Sequence, residues 1–196
     1  MRRFFVDGIP STHGSFSITG AEARHMIRVL RMEPGERMVL LDSKGARFQA
    51  VIKEVGGHHV LVNLEQPLSA PAPSPVHMTL CQSLLKSQRM DLLVEKTSEL
   101  GVDRVLPFIS ERTVVKVDGD KAQGKLRRWQ EIARSAAKQS DRALPAEIGS
   151  LYYYDQMLAA LAMESALRII LWEQEGIRSL KDLLRSNSPE PRVLAI

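Results

Sequence analysis

The chain has 196 residues, 44% of them hydrophobic and 26% charged, a globular composition that excludes a disordered tail, a collagen-like fibre and a coiled-coil rod. Lys and Arg number 27 against 23 Asp and Glu, a formal charge of +4 with a sequence pI near 9.4, which permits a nucleic-acid partner without requiring one. The single cysteine, Cys81, excludes an internal disulfide and a cysteine-based zinc site. No apolar run reaches the ~18 residues of a membrane span, and the N-terminal MRRFFVDGIP lacks the apolar stretch of an export signal, so the expected location is the cytoplasm.

The first part of the chain reads as mostly β. Residues 4–6 and 15–18 are short strand candidates. Residues 21–30 predict one helix, with Ala23, Met26, Ile27 and Leu30 on an apolar face. Pro34-Gly35 marks a turn. Three strand-like runs follow, 37–42, 47–55 and 59–64, separated by Ser43-Lys44-Gly45 and by Gly56-Gly57, which are hairpin signals. Several short strands and one helix predict a small β-barrel. Prolines at 67, 71, 73 and 75 cannot continue a helix or a central strand and predict an extended spacer. The expected domains are therefore 1–70 and 71–196.

Beyond the spacer the rhythm changes. Residues 76–85 predict a strand, and 89–100 a helix closed by Gly101. Residues 105–109 predict a strand and 121–140 a longer helix. A helix over 155–165 takes Asp155 as N-cap; a strand follows over 167–172, then a helix over 179–184 capped by Ser179, and a strand from Val193. Alternating helices and near-continuous apolar strands predict an α/β domain with a buried parallel sheet. In such sheets the ligand lies past the carboxyl ends of the strands. The sequence stops where such a loop would begin, so the expectation is that the natural protein continues beyond Ile196.

Candidate functional residues fall at strand ends and on helices. Lys86 and Arg89 sit between a strand and its following helix, a place suited to an anion or phosphate and equally to a solvated loop. Arg112 repeats that position after the next strand. Arg134, Lys138 and Arg142 lie at steps of four, a basic stripe that can track phosphates or simply face water. Arg24, Arg28 and Arg31 make a basic ridge on the helix of the barrel. His58 and His59 are adjacent in a turn and form a poor metal pair. The sequence contains no dinucleotide glycine fingerprint, phosphate-loop lysine or nucleophile elbow, and no metal site is expected.

Several segments carry a resemblance in chain order: Arg3-Phe4-Phe5, the stretch from His25 to Arg31, Lys86 to Arg89, Glu95-Lys96-Thr97-Ser98-Glu99-Leu100-Gly101-Val102, Ser110-Glu111-Arg112, and Ala136-Ala137-Lys138-Gln139-Ser140-Asp141-Arg142 with Pro145. Together they resemble the SPOUT-superfamily enzymes that methylate N3 of a uridine in 16S ribosomal RNA, the RsmE family. The resemblance implies an N-terminal PUA-like β-barrel and an α/β methyltransferase domain with a trefoil knot. It also implies a homodimer, S-adenosylmethionine as cofactor, and the small ribosomal subunit or its 16S RNA as partner. The family's glycine-rich stretch after the strand matching residues 193–196 is absent here, which implies an incomplete second domain and an inactive fragment. By the same resemblance Leu171, Trp172, Glu173 and Ile196 would wall the cofactor pocket. Arg3, Arg28, Arg31, Lys86 and Arg89 would hold RNA, and Arg112 and Arg142 would stabilise the reacting uridine. The rival expectations are a non-enzymatic RNA-binding module that uses the barrel and, with no phosphate loop to support it, a nucleotide-binding α/β domain of another class.

Overall fold

The computed structural model describes the chain except for residues 11–13, 73, 87, 116–118, 163, 177–178, 187–191 and 196, and gives only the backbone course of 119–120 and 192–195. The chain divides into two compact units. One comprises Met1–Ala72 together with Asp141–Leu144, the other Pro73–Ser140 and Pro145–Ile196.

The first unit is built on a five-stranded sheet of β1 (Arg2–Phe5), β2 (Ser15–Ile18), β3 (Arg37–Leu41), β4 (Arg47–Val55) and β5 (Val60–Pro67), in the order β1-β3-β4-β5-β2. β1 runs parallel to β3, and the remaining pairs are antiparallel. The β3–β4 turn is organised by the buried Asp42, whose carboxylate accepts the amides of Lys44 and Ala46, both at 2.8 Å. An Asp side chain here replaces backbone bonds that the turn cannot make. Alternate residues of the strands supply the core: Phe4, Met38, Leu40, Ala50, Ile52, Val60 and Val62 are all buried.

The predicted helix over 21–30 is not one regular helix. α1 (Gly20–Arg24) passes directly into a π-helical turn over His25–Val29, where the amide of Leu30 reaches the carbonyl of His25 at 3.0 Å. Met32 then donates to Met26 at 3.0 Å, and Arg31 takes the left-handed φ of +48°. The wider turn inserts an extra residue. Met26 and Met32 both enter the core, while Val29 is left facing solvent.

The second unit is a parallel sheet. β6 (His77–Ser83), β7 (Arg104–Ile109), β8 (Glu147–Ile148), β10 (Leu167–Ile169) and β11 (Arg192–Ala195) run in the order β10-β11-β6-β7-β8, and β9 (Tyr152–Tyr153) also pairs with β7. All the pairings are parallel. The last strand in the sequence, β11, is thus interior. β8 and β9, two residues each, were too short to register as apolar runs.

α2 (Gln88–Leu100) and α3 (Gly119–Gln139) pack on the sheet through Met90, Val94, Trp129 and Ala133. α4 (Tyr154–Ala162) packs through Met157 and Leu161 beside Cys81, Leu106 and Phe108. α2 ends as the sequence indicates: Gly101 has φ +108°, and the amide of Val102 returns to the carbonyl of Thr97 at 3.0 Å.

Three expectations are corrected. Asp155 lies inside the first turn of α4 rather than capping it. The amide of Tyr153 instead meets Gln156 Oε1 at 3.2 Å, because β9 runs directly into the helix. The strand over 167–172 ends at Ile169, and the next three apolar residues leave the sheet. The stripe of Arg134, Lys138 and Arg142 is broken, because α3 ends at Gln139 and Asp141 adopts a left-handed φ of +58°; Arg142 then belongs to the first unit. α5 (Leu180–Ser186) does begin at the expected cap: Ser179 Oγ accepts the amide of Asp182 at 3.1 Å and donates to its carboxylate at 2.7 Å.

Candidate functional site

Beyond the carboxyl end of β10, Ile170, Leu171 and Trp172 are 67%, 60% and 61% exposed. Apolar side chains this open cost water-ordering free energy unless something covers them. They line a cleft of about 600 Å³ together with Glu173, Glu175 and the α5 residue Leu180. The amide of Glu175 meets the carbonyl of Trp172 at 3.1 Å and closes the turn that carries Glu173. Thus Leu171, Trp172 and Glu173 are brought together on one wall. Ile196 lies outside the described residues.

At the amino ends of the same parallel strands, opposite the cleft, the frame is ionic. Arg104 Nη2 donates to both oxygens of Glu164, at 2.7 and 2.9 Å, and Arg104 Nε donates to Thr79 Oγ1 at 3.2 Å. Arg168 Nη2 donates to the carbonyls of Leu161, Ala162 and Glu164 at the end of α4, which places a cation at the negative pole of that helix. Cys81 lies inside this frame, and burial pushes its thiol up to about 11.

The carboxyl ends of β6 and β7 hold a second set of candidates. Lys86 and Arg89 are exposed just beyond β6 and at the start of α2. Arg112 is exposed in a turn just after β7. Within that turn the amide of Thr113 reaches the carbonyl of Ser110 at 3.0 Å. β6 and β7 are paired in register through Ser83 and Phe108, so both loops leave the same edge of the sheet.

In the first unit Arg24, Arg28 and Arg31 are all exposed on the π-turn and its exit. Arg3 is differently placed. Its Nε makes a 2.8 Å ion pair with Asp141 Oδ1, which Arg47 Nη2 also approaches at 2.6 Å. One carboxylate therefore serves two guanidiniums, one of them on the buried Arg47. Arg142 follows Asp141 in this unit, whereas Arg112 belongs to the other. Sequence reasoning missed Asp141, Arg47 and the hydroxyls around Arg112. None of the three carried a local signal, because the left-handed backbone of Asp141 and the partners of all three are set by the folded chain.

A small mixed sheet carrying a basic ridge, followed by a parallel α/β unit with an open cleft at a strand's carboxyl end, defines a two-unit protein of the ligand-binding α/β class. Comparison with known proteins is specific. Residues 72–196 match the family model described as an RNA methyltransferase domain, and residues 18–65 match the RNA methyltransferase PUA domain. The chain belongs to this RNA methyltransferase family, with a PUA-like N-terminal domain and a SPOUT-type α/β methyltransferase domain.

Among curated relatives, a ribosomal RNA small subunit methyltransferase E of Mycobacterium bovis is 36% identical over 140 residues, 71% of this chain and 53% of the relative. That of Bacillus subtilis is 29% identical over 161 residues, 81% of this chain and 63% of the relative. The chain therefore spans between about half and two thirds of the length of these relatives. Among solved structures, a ribosomal RNA small subunit methyltransferase E of Neisseria gonorrhoeae bound to S-adenosylmethionine superposes with a TM-score of 0.87 at 30% identity, covering 100% of this chain and 79% of that one. A Legionella pneumophila protein solved with the same cofactor gives a TM-score of 0.87 at 28% identity, covering 99% and 78%.

Proposed function

We propose that this chain is the RNA-binding domain (1–70) and much of the transferase domain (71–196) of an enzyme that methylates N3 of a uridine in 16S ribosomal RNA. It would use S-adenosylmethionine and work as a knotted homodimer in the cytoplasm. The observation that carries this reading is the cleft walled by Leu171, Trp172 and Glu173 in a chain of this family. An indole and a leucine suit an adenine face, and the carboxylates of Glu173 and Glu175 suit a cationic ligand. Those carboxylates disfavour a polyphosphate whereas Arg168, which also lines the cleft, favours one, so an ATP control separates this reading from a nucleotide-binding domain of another class.

When bound, S-adenosylmethionine supplies a methyl group made electrophilic by its sulfonium. The chain's own residues meet the other half of the problem. Uracil N3 carries a proton at neutral pH, and its lone pair becomes available only when that proton leaves. A guanidinium beside the ring stabilises the resulting anion, and Arg112 and Arg142 are the candidates. Arg28 on the π-turn, Arg31 at its exit, and Lys86 and Arg89 at the sheet edge would meet phosphates, with Arg3 contributing from its place on Asp141. RNA affinity is then expected to fall steeply with salt.

The test is calorimetric titration of S-adenosylmethionine into the chain and its Trp172→Ala variant, with ATP as control. Binding that weakens about tenfold or more on loss of the indole supports the cleft; equal binding by both proteins moves the site elsewhere. No binding at all, by this chain or by a chain of the relatives' full length, would favour an RNA-binding module acting through the basic ridge. Incubation with small ribosomal subunits, followed by nucleoside mass spectrometry, distinguishes N3 methylation from methylation at other uridine positions.

A further inference from the structure

Three hydroxyls meet where β6 and β7 end. Ser83 Oγ lies 3.0 Å from Thr113 Oγ1 and 3.4 Å from Ser110 Oγ, and Ser110 Oγ lies 3.1 Å from Thr113 Oγ1. Thr113 Oγ1 also accepts the amide of Ser110 at 2.8 Å, while the amide of Thr113 returns to the carbonyl of Ser110 at 3.0 Å. The turn over 110–113 is therefore closed in both directions, then fastened through Thr113 to the last residue of β6. Glu111 and Arg112 are the two exposed side chains at the centre of that turn, and Arg112 is the cation of the pair.

A surface arginine ordinarily loses much rotamer and backbone freedom when it binds, and a pre-fixed backbone removes part of that cost. The hydroxyls are half-buried, next in sequence to Leu84 and Ile109 of the core, so they sit at the border between the packed interior and the exposed turn. Thr113 Oγ1 already accepts one N–H, so it can accept from one neighbouring hydroxyl and donate to the other. Its two short contacts use two of the three hydroxyl protons, and the third is left with only the long 3.4 Å contact.

We propose that Ser83, Ser110 and Thr113 form a positioning cluster that holds Arg112 at the carboxyl edge of β6 and β7 for contact with RNA. The inference rests on the RNA-methyltransferase reading above and names residues of this chain that set its RNA site. Ser83 and Thr113 are positioning residues: they act through Arg112.

The experiment uses a short uridine-rich single-stranded RNA as probe and a double-mutant cycle. Thr113→Val keeps the shape and removes the hydroxyl; Thr113→Ser keeps the hydroxyl. Thr113→Val is expected to weaken RNA binding by about fivefold, to weaken it hardly at all when Arg112 is already alanine, and to speed hydrogen exchange at the Ser110 amide. Thr113→Ser restores binding. Ser83→Ala, which leaves the turn's own bonds intact, carries the same comparison if the valine variant does not fold. Equal losses with and without Arg112, or unchanged affinity despite faster exchange, overturn the inference while RNA binding stands. Failure of the parent chain to bind the probe overturns the RNA-methyltransferase reading and this inference with it.

Discussion

Arg31 sits in a left-handed backbone conformation at the exit of a π-helical turn, with its side chain in solvent. A residue with a Cβ is strained there by ~1–2 kcal/mol, and glycine is not. Arg31→Gly is therefore expected to be about 1 kcal/mol more stable than Arg31→Ala, while the two lose RNA affinity equally. Thermal unfolding and RNA titration of both variants check this, and unequal affinity would show that the backbone shape itself matters to binding. Cys81 offers a second single-residue test. Its thiol is pushed from 9.0 up to about 11 by burial, so the folded state holds the proton over a pH range where the unfolded chain releases it. That contribution is complete below pH 9 and is lost as pH rises toward about 11. Unfolding free energies measured across this window should fall for the parent and fall less for Cys81→Ala, and alkylation of Cys81 should be slow in the folded protein.

Among the elements, α2 and α3 were legible because each repeats apolar residues at helical spacing. Asp91 and Glu95 lie four apart on α2, a like-charge spacing that is mildly unfavourable in a bare helix. The structure resolves that conflict through α3: Asp91 accepts from Arg128 Nε at 3.1 Å, from Arg128 Nη2 at 2.9 Å and from Trp129 Nε1 at 3.1 Å. Glu95 turns to Lys96. The indole of Trp129 is buried, so its N–H has no other outlet. Asp91→Ala should cost ~1–3 kcal/mol in denaturant unfolding, most of it from the stranded indole N–H; Arg128→Ala should cost much less, because that guanidinium is exposed. The elements that escaped the sequence have physical reasons. A π-turn differs from an α-helix by one inserted residue, which periodicity over ten positions does not resolve. β8 and β9 hold only two residues each. Residues 170–172 have the composition of a strand because an apolar cleft wall and a buried strand use the same side chains.

For the molecule as a whole, the decisive feature is residues distant in sequence meeting in the first unit. Arg3 and Arg47 share one carboxylate oxygen of Asp141, and among the described residues the Nε and Nη1 atoms of the buried Arg47 have no hydrogen-bond partner. Asp141 is then the main compensation for a buried cation. Asp141→Ala should destabilise the protein by about 2 kcal/mol, below the ~3–5 kcal/mol of a fully buried pair because Asp141 is 44% exposed. Asp141→Glu should recover part of the loss, and denaturant titration of both variants measures it. Spacing, turn chemistry and caps are local, so the sequence alone determined the β-rich beginning, the α/β alternation, the end of α2 at Gly101 and the start of α5 at Ser179, while residues 171–173 were singled out only by the resemblance. Strand order, the interior position of β11, the shared salt bridge on Asp141 and the hydroxyl cluster beneath Arg112 depend on which distant segments pack together. Only the tertiary structure decided those, because hydrophobic burial rewards any apolar strand alike and leaves the choice of neighbour to the packing of the whole chain.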